Sequence, residues 1–237
     1  MARVAILLFP GTWSERDFEH ALAVAGAEPE ILWHANADLR GFDAAIVPGG
    51  FSYGDHVRAG AIARLSPATT ELRRFAAEGG PVLGSCNGFQ ILCEAGLLPG
   101  ALIRNAGLEY ISDWVRVRVE DDRTPFTEGL LDRTLRMPIG HGEGCWVADP
   151  STVERVEKEG LVAFRYVDER GIVTAAANPN GSSNNIAGLR NAAGNVVGLM
   201  PHPERCAEAL LGGDDGLLVL ESLVRRVGTA PALAGAS

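Results

Sequence analysis

Residues Gly84-Ser85-Cys86-Asn87-Gly88 close a short apolar run and lead into a helical pattern. A thiol flanked by glycines at a strand–helix junction has the form of a nucleophile elbow, Gly-x-Cys-x-Gly. The turn is tight, and a Cβ on either side would clash or shield the sulfur. The helix N-terminus favours an anion there, and the thiolate is the reactive form of cysteine. The N–H of Asn87 then faces any oxyanion formed on a carbonyl that Cys86 attacks. Taken alone, Cys86 has a second reading, that of a small buried hydrophobe.

A thiol nucleophile needs a base, and the base needs an orienting group. "MPHPE", residues 200–204, offers both. Pro203 holds His202 extended, and side chains two apart on an extended segment share a face. Glu204 can thus fix the imidazole of His202. Among the other histidines, His20 falls on a helical pattern, His34 at a strand end and His56 in a loop. His141 stands in "GHGEG", either a plain turn or a loop lining a pocket through its backbone. "VPGGFSYGD", residues 47–55, places two glycines after a strand, where Gly50 could give a second oxyanion donor. Cys93, Cys145 and Cys206 lack the elbow setting and read as structural.

These residues must be positioned by alternating elements. Strands are expected at 2–9, 30–34, 43–50 and 81–86, with helices at 14–26, 57–78 and 88–97 between them. Ser14 is the expected cap of the first helix. The second half reads as strands at 114–120, 134–140, 161–167, 171–177, 185–190 and 195–200, then an amphipathic helix from 214 to 227. The fold class is therefore α/β: a three-layer sandwich, its mostly parallel central sheet flanked by helices, with an antiparallel extension in the second half. In such sheets ligands sit at the carboxyl ends of the strands. That edge collects Gly49-Gly50, Cys86 and the His202 region. Residues 1–237 read as one domain, with 228–237 as a frayed tail.

The composition is an ordinary globular balance. The 237 residues include 46% hydrophobic and 22% charged, with a net charge of −9. That charge disfavours nucleic acid or anionic membrane as partner. No C-x-x-C pair occurs, so a zinc site is not expected. "ARVAILLF" reads as a buried strand and not a signal peptide, since Pro10 and polar residues follow. The expected location is the cytoplasm. No phosphate-binding glycine loop is present.

Together, "PGGFSYGDHVRAGAIA", "GSCNGFQIL", "GHGEG" and "MPHPE" resemble the class I (triad) glutamine amidotransferase family, over about residues 2–226. The resemblance implies a glutaminase in which Cys86 is nucleophile, His202 base and Glu204 its orienting acid. It implies an oxyanion hole from Gly50 and Asn87. Gln90, Gly142 and Glu143 match the residues that hold glutamine's amino and carboxylate ends. No metal and no cofactor is implied in this chain. ATP and magnesium would belong to a separate large synthetase subunit that receives the ammonia, with a third small subunit completing the complex. The motifs look closest to a member that feeds purine biosynthesis. One departure stands out: Thr12-Trp13-Ser14 replaces a common Asn-Cys pair after the first strand, which leaves that loop's role open. The alternatives are another cysteine-elbow hydrolase or stress protein of this fold, and a subunit that only scaffolds a complex.

Overall fold

A computed structural model describes residues 1–229. One nine-stranded sheet organises the chain. Its parallel half contains β1 (Arg3–Leu8), β2 (Glu28–Trp33), β3 (Ala44–Val47), β4 (Val82–Ser85) and β11 (Val196–Leu199), in the order β2-β1-β3-β4-β11. The sheet continues antiparallel through β10 (Ile186–Arg190), β9 (Val162–Val167), β6 (Ile111–Val119) and β7 (Thr134–His141). A separate ribbon pairs β5 (Ala101–Ile103) with β8 (Cys145–Val147).

The pleat sorts the core into two faces. Along β1, Val4 and Ile6 face one layer while Ala5 and Leu7 face the other. The first layer holds α1 (Glu15–Val24), through Phe18 and Leu22, and α5 (Asp215–Thr229), through Leu220 and Leu223. The second holds α2 (Pro67–Ala77), α3 (Asn87–Glu94) and α4 (Pro150–Lys158), through Leu72, Phe89 and Val156. Strands buried on both faces read as continuous apolar runs, which is why β1, β3 and β4 were legible. The three layers and the antiparallel extension are as expected.

Three local expectations are corrected. The helix at 57–78 is only α2: Ser66 is extended before Pro67, which starts the helix at its first position, as the residue before proline must. Leu65, expected on its buried face, is exposed. Residues 171–177 form no strand but a turn and a short 3-10 segment at Ala175–Ala177. Ser14 precedes α1 without capping it; its hydroxyl is used elsewhere. Of the expected tail, residues 228 and 229 end α5, and 230–237 lie outside the described residues. Among the described residues, no helix is long and apolar enough to cross a membrane.

Candidate active site

Cys86 sits between β4 and α3 with φ 50° and ψ −108°, a left-handed turn unusual for a side chain with a Cβ. Such strain persists where the surroundings over-determine it, and here the flanking glycines do. A Cβ on Gly88 would lie 1.8 Å from the carbonyl oxygen of Val47 in β3, and one on Gly84 2.7 Å from the backbone of Gly88. The glycines let α3 start directly against two strands. Cys86 is 5% exposed yet lines a cavity of about 210 Å³, and its sulfur lies 3.7 Å from the Gly140 carbonyl of β7.

His202 and Glu204 follow β11, the neighbour of β4, so the sheet brings them to the same rim as Cys86. His202 Nδ1 is 2.7 Å from Glu204 Oε1, and both side chains are buried. The pairing is as expected, but its geometry differs. His202 is extended, whereas Pro203–Arg205 form a 3-10 turn that curls the carboxylate back onto the ring. Ser85 Oγ, one residue before the thiol, donates to the other oxygen of Glu204 at 3.3 Å and to the Pro201 carbonyl at 3.2 Å. Nothing in the sequence singles out Ser85 for this; the contact spans more than a hundred residues. Burial disfavours a charged imidazole, but the Glu204 carboxylate and then Cys86 outweigh it and raise the pKa of His202. Its Nε2 is buried and has no hydrogen-bond partner among the described residues.

The remaining expected residues converge on the same cavity. Gly50, with φ 151°, lines it together with Gln90, Gly142 and Glu143. A Cβ on Gly50 would meet the Gly11 carbonyl at 2.6 Å, so only glycine lets this backbone pass. Among the described residues, the N–H of Gly50 and that of Asn87, at the start of α3, form no backbone hydrogen bond outside the helices and strands. The Asn87 side chain ties the two donor segments together. It accepts from the Ser52 N–H at 3.0 Å and donates to Gln90 Oε1 at 2.7 Å and Asp55 Oδ1 at 3.3 Å. Gln90 in turn donates to the Glu143 carbonyl at 2.6 Å. Gln90 thus clamps the 142–143 turn to α3. Asp55 also lines the cavity, and burial followed by the Glu143 charge pushes its carboxyl up to about 6.

The loop at Thr12-Trp13-Ser14 has a role after all. Ser14 Oγ accepts from the Gly49 N–H at 2.9 Å, and Thr12 Oγ1 accepts from the Phe9 N–H at 3.0 Å. Trp13 walls the cavity mouth, stacked on Phe51 and covered by the Arg205 guanidinium. His141, left open by the sequence, is a buried wall of the cavity. Burial pushes the thiols of Cys93, Cys145 and Cys206 up, as suits structural cysteines. His20 is exposed beside Glu208, and His34 braces Tyr53 and Ser66.

This geometry can perform acyl transfer from a small amide. The CobB/CobQ-like glutamine amidotransferase domain matches residues 1–212. The phosphoribosylformylglycinamidine synthase subunit PurQ of Rubrobacter xylanophilus is 53% identical over 223 residues, covering 94% of this chain and 97% of that one. PurQ of Chlorobaculum tepidum is 54% identical over 222 residues, with 93% and 95% covered. In the solved structure of PurLQS from Thermotoga maritima, one chain is 39% identical with a TM-score of 0.84, over 95% of this chain and 99% of that one.

Proposed function

The chain belongs to the CobB/CobQ-like glutamine amidotransferase domain family, and from that we propose that Cys86, His202 and Glu204 are the triad with which it takes ammonia from glutamine. Its activity is that of the glutaminase subunit of phosphoribosylformylglycinamidine synthase, in purine biosynthesis.

The residues divide the work as follows. The Cys86 sulfur attacks the carboxamide carbon, and the carbonyl electrons move onto oxygen. The N–H groups of Gly50 and Asn87 receive that oxyanion. His202, held by Glu204, passes the Nε2 proton to the nitrogen; the C–N bond breaks and ammonia leaves a thioester. A water then attacks the thioester, gives its proton back to Nε2, and glutamate departs from the restored sulfur. Glutamine's amino and carboxylate ends are assigned to the side formed by Gly142 and Glu143, which Gln90 holds in place.

Ammonia released into water is protonated and diluted, so the site must work against a partner. We assign ATP and magnesium to a large synthetase subunit, with a small third subunit in the complex. The loop at residues 51–60, which exposes Phe51 and Val57, is the contact we assign to the synthetase. The observation that carries the reading is the 2.7 Å His202–Glu204 pair at the same strand edge as the elbow. That set also disfavours a purely scaffolding subunit. A diazoketone analogue of glutamine should label Cys86 and abolish glutamate release, with no labelling in Cys86→Ala. A wild-type chain that releases no glutamate with its synthetase present refutes the assignment.

A further inference from the structure

The pocket holds a second imidazole that the steps above do not use. His141 ends β7, is 3% exposed and lines the cavity that opens on Cys86. Its neighbours fix its hydrogen. Asn105 Nδ2 donates to the carbonyls of Glu109 and His141, at 2.9 and 2.8 Å. Its Oδ1 is therefore an acceptor, and it takes the Gly144 N–H at 2.9 Å. The same oxygen lies 3.0 Å from His141 Nδ1, so Nδ1 carries the proton. Burial, and after it the charge of His202, lowers the pKa of His141 to about 4, which leaves the ring neutral at pH 7. Nε2 is then a bare lone pair. It is buried, and no donor among the described residues reaches it. An unpaired buried acceptor is costly, so a donor arriving there gains more than it would in water.

The substrate brings such a donor. A carboxamide oxygen needs N–H groups, the role assigned above to Gly50 and Asn87. A carboxamide nitrogen is a pure donor and needs acceptors. The cavity lining supplies these: the Gly140 carbonyl, 3.7 Å from Cys86 Sγ, and the adjacent His141. Resting on the glutaminase reading above, we propose that His141 Nε2 accepts an N–H of the carboxamide nitrogen and keeps hold of it as ammonia departs. Nε2 carries no hydrogen, so it can hold ammonia without turning it into ammonium. The one proton the nitrogen gains comes from His202. His141 is in this sense a retention point for a nucleophile that must stay unprotonated until the synthetase takes it.

Two substitutions separate this role from a structural one. His141→Asn can keep the bond to Asn105 but removes the acceptor at Nε2. His141→Gln can place an oxygen near Nε2 but gives up Asn105. The full chain with its synthetase is assayed for glutamine turnover, thermal melting and labelling by the diazoketone, which has a diazomethyl carbon in place of the amide nitrogen. His141→Asn should melt close to wild type and label at the wild-type rate, yet turn over glutamine with kcat at least tenfold lower. His141→Gln should retain kcat within a few-fold. If His141→Asn turns over normally, or if only His141→Gln is impaired, the proposal is overturned. Should His141→Asn not fold, a folded His141→Gln with tenfold lower kcat overturns it equally. A wild-type chain that neither labels nor releases glutamate defeats the glutaminase reading itself, and this inference with it.

Discussion

Cys86, His202 and Glu204 were legible because their chemistry is written in residue type and in immediate neighbours. Gly84 and Gly88 flag a backbone that must approach β3, and Pro201 and Pro203 bracket the histidine. Ser85 was not legible, since a serine in an apolar run signals nothing until β11 is laid beside β4. Its hydroxyl donates to Glu204 and to the Pro201 carbonyl, so it fixes the carboxylate that fixes the imidazole. One such bond contributes about 1 kcal/mol, and 1.36 kcal/mol is about tenfold in rate. Ser85→Ala should therefore lower kcat about fivefold and leave KM for glutamine near its original value, since Ser85 does not line the cavity. Steady-state kinetics of the complex check this. A rise in KM with unchanged kcat would place Ser85 in binding instead.

Elements were legible where burial imposes a period and illegible where a turn overrides it. Ala61 to Ala76 carry a continuous helical spacing, but Pro67 breaks it because Ser66 must be extended. The three-residue strands β5 and β8 are too short to show alternation, and α4 exposes most of its surface, burying only Val156. The segment after β3 is the most unusual of all. Tyr53, Asp55 and Val57 all have positive φ, which side chains other than glycine rarely adopt. It carries Asp55 under α3, where burial and then Glu143 raise the carboxyl from 3.8 to about 6. Below pH 3.8 both folded and unfolded chains hold that proton. As pH rises from 3.8 to 6 the unfolded chain releases it and the folded chain does not, so stability falls and the deficit is complete above about 6. Asp55→Asn keeps an oxygen to accept from Asn87 and carries no charge. It should match wild type in melting temperature near pH 3.5 and exceed it at pH 7. The gain should be about 1 kcal/mol, less than the full shift implies because the carboxyl remains partly exposed. Denaturant unfolding at the two pH values measures it. An equal difference at both would show that the carboxyl's ionisation is not its cause.

At the scale of the molecule, parallel strands gather their carboxyl ends on one rim, and this is why the sequence alone groups residues 50, 86 and 202. The antiparallel extension is legible as such, but its strand order is not; that β7 ends at His141 beside the elbow depends on an order, β9-β6-β7, that pairing across the sheet decides. The cavity is small, about 210 Å³, and apolar side chains surround its mouth: Trp13, Phe51 and Tyr110 are about half exposed. Beyond Phe51 on the same segment, Val57 is 93% exposed in a left-handed conformation. A large apolar side chain held so openly, at a strained backbone position, is available to the contact assigned above. Aspartate tolerates that backbone region better than valine does, so Val57→Asp should fold at least as well. It should nonetheless weaken binding to the synthetase at least tenfold, because a charge would be buried at the contact without a partner. Diazoketone labelling of Cys86 in the free chain should be unaffected, since Val57 does not line the cavity. Titration of the synthetase against wild type and Val57→Asp decides the matter: equal affinities would move the docking surface away from this loop.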